Sequence, residues 1–360
     1  MELTFLGTAS AYPTPARGVS CIIFRNEGTY WMFDCGEGSQ IQLMKSSVRP
    51  GKISRIFISH LHGDHVFGLP GLLCTISQNH SPDKDGVVHI YGPKGLRKFL
   101  RVSLSLSRSL LGYTYMVHEL CYGNHALPEL METWPVEDSC KDEKLNPNEQ
   151  EGIEILPDDN NIWHVCEDER HSVKAGWLTH QIPSFGFVIE ERPSPGKLDV
   201  EILKKKGVPP GPLYSQIKKG MDITLESGEV VKASDCLGPE RPGRKVVILG
   251  DTSDSQEMSG LCKDCDVIVH EATLENEKQE DAKRKGHSTP GMAGEFAKSV
   301  NAAKLILTHF SQRYGSSTDE DSRESLDVLV KQAQEAMQSD NVMAADDLVT
   351  VFVSQRKLLT

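Results

Sequence analysis

Four potential metal ligands fall within six residues at His60-Leu61-His62-Gly63-Asp64-His65, directly after the apolar run at 53–59. An apolar run of that length, bounded by turn residues, reads as a buried strand. The cluster therefore stands at a strand end, where rigid α/β sheets present functional groups. Imidazole nitrogen and carboxylate oxygen suit zinc, and also manganese or iron. In an extended chain His60 and His62 face the same side, and Gly63 permits a turn that swings Asp64 and His65 toward a second position. A solvated polar run would not concentrate these residue types behind a buried strand.

The rest of the chain supplies the framework for such a site. Apolar stretches at 3–6, 20–24 and 30–33 read as short strands separated by Gly and Pro turns. A helix is expected over 69–76, then a strand at 87–91 and a helix from about Gly95. Later runs at 246–249, 267–269 and 305–307 each end in a polar cluster: Gly-Asp-Thr, His-Glu-Ala-Thr and Thr-His-Phe-Ser. Helical patterns lie around 274–285 and 291–299, and 348–353 reads as a further strand. Alternating strands and helices point to an α/β protein. His180, Asp251 and His309 also stand at segment ends. Each alone is equally a satisfied structural residue, but with the cluster they are enough for two metals, with one carboxylate bridging.

Composition excludes several classes. At 360 residues, 38% hydrophobic and 25% charged, the chain is neither disordered throughout nor fibrous. No basic leader and no apolar run of membrane-spanning length is visible. Nine scattered cysteines suggest reduced thiols, hence the cytosol or nucleus. Cys262-Lys-Asp-Cys265 lacks a second pair for a zinc knuckle and reads as plain thiols. No Gly-x-Ser-x-Gly elbow supports a serine hydrolase.

Two segments depart from the mean. Residues 129–170 carry 14 acidic and 3 basic side chains, expected as a solvated, flexible insertion. Residues 192–219 hold seven basic against two acidic side chains, inside a chain of net charge -12, around Gly207-Val-Pro-Pro-Gly-Pro. An ordinary lysine surface accounts for such a stretch. Against that stand the charge contrast and the Gly/Pro frame, which is able to hold a protruding arm in shape.

Taken in order, these motifs resemble a known family. Phe5-Leu-Gly-Thr with Pro13-Thr-Pro-Ala-Arg17, Asp34-Cys-Gly-Glu-Gly-Ser-Gln40 and His60 to His65 open the series. His180 with Pro183-Ser-Phe-Gly-Phe187, Gly250-Asp251-Thr, His270-Glu-Ala-Thr273, His287-Ser-Thr289 and His309-Phe-Ser-Gln-Arg-Tyr314 complete it. The chain is similar, almost end to end, to the metallo-β-lactamase fold and within it to the RNase Z family, the tRNA 3′-processing endoribonucleases of the short, ELAC-type zinc phosphodiesterase form. Gly18 stands where the family has Asn, and the acidic insertion has no evident counterpart.

The resemblance implies an αβ/βα four-layer sandwich spanning 1–360, with a protruding basic arm at 192–219. It implies two zinc ions, one held by His60, His62 and His180 and the other by Asp64, His65 and His309, with Asp251 bridging. Water activated between the metals is then the nucleophile and Asp64 accepts its proton. His287, oriented by Glu271, contacts the phosphate or protonates the leaving oxygen. Lys204, Lys205, Lys206, Lys218 and Lys219 are the expected RNA contacts. Precursor tRNA is the expected substrate and a homodimer the expected assembly. Two other functions fit the same motif less well. A small-ester or thioester hydrolase needs neither the arm nor His287, and a non-catalytic scaffold tolerates the loss of ligands, yet all are in place here.

Overall fold

The strand Ile53–Phe57 illustrates how this sequence builds its sheets. Ile56 packs into an apolar cluster shared with helices, and its neighbour Phe57 into a cluster shared with a second sheet. Both side chains are fully buried. A strand covered on both faces is apolar at successive positions, which is the signature of parallel pairing. Ile53–Phe57 indeed pairs in parallel with Thr29–Phe33 and with Val88–Pro93.

The computed structural model describes residues 1–79, 86–138, 144–315 and 324–354. One sheet runs Thr350–Phe352, Glu2–Gly7, Cys21–Asn26, Thr29–Phe33, Ile53–Phe57, Val88–Pro93, Tyr115–Leu120 and Glu149–Gln150, with Glu154–Ile155 also pairing Tyr115–Leu120. The other runs Val342–Ala344, Leu305–Thr308, Val267–Glu271, Lys245–Ile248, Ser184–Glu191, His171–Leu178 and Trp163–Glu167. Phe5, Phe33, Phe57, Phe185, Phe187 and Val269 form one core between the sheets. Helices Leu69–Asn79 and Leu96–Leu106 cover the outside of the first sheet, and Pro290–Ser299 and Leu326–Met337 that of the second. This is the four-layer sandwich that the motifs implied.

Residues divide into two compact units. The larger comprises Met1–Cys166, Val173–Ile189 and Lys245–Ser354; the smaller, among the described residues, Glu167–Ser172 and Glu190–Arg244. The smaller unit is longer than the basic stretch at 192–219. It contains helices Val200–Lys205 and Pro212–Lys218, a hairpin of Ile223–Thr224 with Val230–Val231, and a core of Leu203, Val208, Ile217, Ile223 and Val231. Between 190 and 244 there are ten Lys/Arg and nine Asp/Glu, so the positive charge is a local feature of the two helices.

Only the later part of the acidic segment corrects the expectation of a solvated insertion: residues 129–138 are exposed or half-buried. Residues 139–143 lie outside the described residues. The stretch 149–167 contributes strands to both sheets, and Trp163 is completely buried, its Nε1 donating to the Cys121 carbonyl at 2.8 Å. Glu149 is buried with Arg101. The guanidinium donates to both carboxylate oxygens at 2.6–3.2 Å, and the Asn146 N–H donates to Oε2 at 2.9 Å. Removing one partner strands a buried charge. Arg101→Ala or Glu149→Ala is therefore expected to cost about 3–5 kcal/mol, read as a lower urea midpoint, and the double replacement should recover part of the loss.

Candidate metal centre and its cleft

The ligand-type side chains arise from strand ends on one rim. His60 and His62 follow Ile53–Phe57, His180 follows His171–Leu178, Asp251 follows Lys245–Ile248 and His309 follows Leu305–Thr308. Asp64 and His65 lie in the single turn Gly63–Val66. Tight turns make this possible. A Cβ on Gly36 would lie 2.0 Å from the Asp64 carbonyl oxygen. Gly286 has φ +77° and sits so close to His180 that a Cβ would lie 2.6 Å from Nδ1. Asp34 and His309 hold positive φ (57° and 59°), a conformation non-glycine residues adopt at cost and retain at functional sites.

All seven proposed ligands come together in two groups. His60, His62 and His180 place one ring nitrogen each within 4.8 Å of the others, and so do the ligand atoms of Asp64, His65, Asp251 and His309. Asp251 joins the groups: its carboxylate is 3.3 Å from both His65 and His309 Nε2, and 3.7 Å from His60 Nε2. Glu271, His287 and His309 form a third such grouping, with His287 Nδ1 3.0 Å from Glu271 Oε1 and 3.7 Å from Asp251.

The electrostatics sort these groups. Burial, aided by His65, drives the His60 pKa well below its ordinary value. Burial and then His180 lower His62 to about 4, and burial lowers His180. The first group is thus a set of neutral imidazoles, the state a metal requires, with His62 Nδ1 3.1 Å from His180 Nε2. In the second group, burial opposes the charge on His65, but Asp251, Asp64 and Asp34 outweigh it and raise the pKa. Burial likewise opposes ionisation of Asp64 and Asp251, yet neighbouring imidazoles hold both well below the carboxylate range. Burial also disfavours a charged His287, but Glu271 and then Asp251 raise it to about 9.

The donor set fits a divalent metal on the structure's own terms. His60 Nε2 is buried without a hydrogen-bond partner, facing the other imidazoles. A cation within reach of the three ring nitrogens would give the unpartnered His60 Nε2 the partner that its burial calls for.

Sequence reasoning overlooked the residues behind the ligands. Asp34 Oδ2 lies 2.7 Å from His65 Nδ1, and both its oxygens accept from Ser59. Thr273 Oγ1 lies 3.0 Å from His309 Nδ1 and donates to Glu271 Oε2 at 2.6 Å, while His180 Nδ1 donates to the Gly286 carbonyl. Such partners fix ring orientation and tautomer. Asp34 satisfies the strand-end criterion that selected Asp251, so it was within reach. His270 turns away and bonds Ser255, leaving only Glu271 of that pair in the site. A cleft of about 550 Å³, lined among others by His62, Asp64, Asp251, His287, Lys285 and Arg313, opens onto the groups.

The five arm lysines belong to the other unit. Lys204, Lys205, Lys218 and Lys219 are exposed at helix C-terminal ends, which cations favour for reasons of the helix dipole alone. Lys206 is half-buried and pairs with Asp235 at 2.9 Å, and Lys204 approaches Glu201. No helix among the described residues is long and apolar enough to cross a membrane.

Comparison with known proteins agrees with this geometry. Residues 230–310 match the family model described as Beta-lactamase superfamily domain, and residues 1–112 that of Anti-Pycsar protein Apyc1. The chain is 45% identical to zinc phosphodiesterase ELAC protein 1 of Bos taurus, over 99% of both chains. It is 37% identical to ribonuclease Z of Bacillus subtilis, over 91% of this chain and 94% of that one. The crystal structure of human tRNase Z, short form, superposes with TM-score 0.66 at 37% identity, covering 98% of this chain and 100% of that one. The chain therefore belongs to the ribonuclease Z family of zinc phosphodiesterases, built on the metallo-β-lactamase fold.

Proposed function

We propose that this protein is a zinc-dependent endoribonuclease that removes 3′ trailers from tRNA precursors, leaving a 3′-hydroxyl on the tRNA and a 5′-phosphate on the trailer. The observation that carries the reading is the pair of ligand groups joined by Asp251 at one cleft, in a chain similar over its full length to ribonuclease Z. That full-length similarity favours phosphodiester chemistry over a small ester or thioester.

His60, His62 and His180 would hold one zinc, and Asp64, His65 and His309 the other, with Asp251 between them. Two such ions supply Lewis acidity when bound, lowering the pKa of water and offsetting phosphate charge. The protein's own groups handle the protons. Water attacks phosphorus in line with the ribose 3′ oxygen and passes a proton to Asp64, whose Oδ2 also accepts the Ala11 N–H at 2.6 Å. The P–O3′ bond breaks, and His287, kept protonated by Glu271, delivers the proton that the leaving oxygen takes up. Glu271 is itself pinned by the Thr252 N–H and the Thr273 hydroxyl, so it orients His287 rather than titrating freely.

The arm lysines would grip the tRNA body through its phosphates, which positions an RNA without reading its sequence. A homodimer belongs to the same reading. Ile41 and Met44 on the helix Ser39–Lys45 are about two-thirds exposed and offer an apolar face to a second copy.

Replacing Lys204, Lys205, Lys206, Lys218 and Lys219 by Gln tests the substrate assignment. Precursor-tRNA binding should weaken, and its salt slope should fall by about 0.7–0.9 for each phosphate that the arm no longer neutralises. Hydrolysis of bis(p-nitrophenyl) phosphate should persist. A parallel loss of both activities, or of neither, removes the arm as support for the tRNA substrate.

A further inference from the structure

The strand Val342–Ala344 also ends in carboxylates on the ligand-bearing rim, Asp346 and Asp347, and neither is a metal-ligand candidate. Asp347 is half-buried and accepts three hydrogen bonds. Thr8 Oγ1 donates to Oδ1 at 2.8 Å; the Gly18 N–H and Gln42 Nε2 donate to Oδ2 at 2.6 and 2.5 Å. Thr8 and Gly18 are the two ends of one loop, which is further closed by the Thr8 N–H donating to the Gly18 carbonyl at 2.9 Å. Arg17, inside the loop, pairs with Asp346 at 3.2 Å, bonds the Thr8 hydroxyl and lies over the Phe310 ring at 5.5 Å.

That loop reaches the reacting groups. Ser10, Ala11 and Pro13 line the cleft, and Ala11, at φ 61°, donates its N–H to Asp64 Oδ2. The Phe310 N–H donates to the Thr8 carbonyl and the Ser10 N–H to the Phe310 carbonyl, so the loop is also bonded to the residue after His309.

We propose that Asp347 is a positioning residue: one carboxylate fastens both ends of the 8–18 loop and the helix Ser39–Lys45, and so sets the cleft wall that holds Asp64. Its effect on turnover rests on the hydrolytic reading above; its effect on the loop does not. Asn at 347 keeps the size but turns one acceptor oxygen into an N–H donor that faces other donors. The loop then loses its anchor while every metal-ligand candidate remains.

The test compares Asp347→Asn with Thr8→Val and Gln42→Leu, each removing one donor. Amide hydrogen exchange at 8–18 should quicken about tenfold in Asp347→Asn, with the central strands of both sheets unchanged and metal content at the wild-type level. On bis(p-nitrophenyl) phosphate, kcat should fall about 10–100-fold, the range seen when groups behind a metal site are removed, with KM within twofold. Thr8→Val and Gln42→Leu should show part of the effect and add nothing in the Asp347→Asn background. Unchanged exchange and kcat in Asp347→Asn overturn the proposal. If Asp347→Asn unfolds, wild-type exchange in both single-donor variants overturns it. If wild-type protein cleaves neither substrate, the hydrolytic reading fails and the exchange arm still decides the loop.

Discussion

Asp251→Ala is expected to lose metal and activity together. Asp251 is 2% exposed and touches His65, His309, His60 and His287 within 3.7 Å. It belongs to the group of Asp64, His65 and His309 and lies 3.7 Å from His60 of the other, and its charge offsets the crowding of imidazoles around it. Elemental analysis of wild-type protein purified without chelator should give two zinc-type ions per chain and the variant less than one. Turnover should fall at least about a thousand-fold, since several kcal/mol of transition-state stabilisation leave with the ions. Full activity of the wild type with a single ion would sink the dinuclear assignment.

Asp64→Asn should lower turnover about 10²–10⁴-fold on precursor tRNA and on bis(p-nitrophenyl) phosphate alike. The side chain nearly keeps its shape and can still accept the Ala11 N–H, but it can no longer take a proton. His65 and His309 hold the native carboxyl ionised against the effect of its burial, the state that the proposed proton acceptor needs at neutral pH. Precursor binding should stay within a few fold, because the proposed grip on the RNA body rests on the lysines of 204–219 and not on Asp64. Appreciable cleavage by the variant at any pH would refute Asp64 as the proton acceptor.

The candidate ligands are legible because their chemistry is local. A strand, a His-x-His-x-Asp-His run and a glycine sit next to each other in the chain, and the other ligands share one rule, a polar residue ending an apolar run. Asp34 obeys that rule and was given no role, because its partner His65 is 31 residues away and a single carboxylate carries no spacing signal. The strand Tyr115–Leu120 escaped because His118 and Glu119 interrupt its apolar run, yet both are buried, Glu119 bonded to the N–H groups of Gly95 and Arg97. Trp163 and Val165 carry a two-residue alternation typical of a strand, which the acid-rich average of 129–170 concealed. The helix expected over 274–285 begins later, at Gln279, after a short 3₁₀ turn. The helix Leu326–Met337, which packs on Pro290–Ser299, went unassigned although its apolar stripe has a helical period.

The edge of the first sheet has a temporal consequence. Glu2 pairs with Phe352, and the Leu348 N–H donates to the Phe5 carbonyl, so the seam closes between residues 350 positions apart. Closing so long a loop adds only a logarithmic entropy cost, but pairings of such separation form slowly. On a ribosome, Glu2–Gly7 emerges long before its neighbour, and His309 and Asp347 belong to the same late stretch. A partly synthesised chain thus carries the His60–His65 run without the wall or the rim that completes it. The cleft and its rim are therefore complete only once residues 305–352 have joined the sheets.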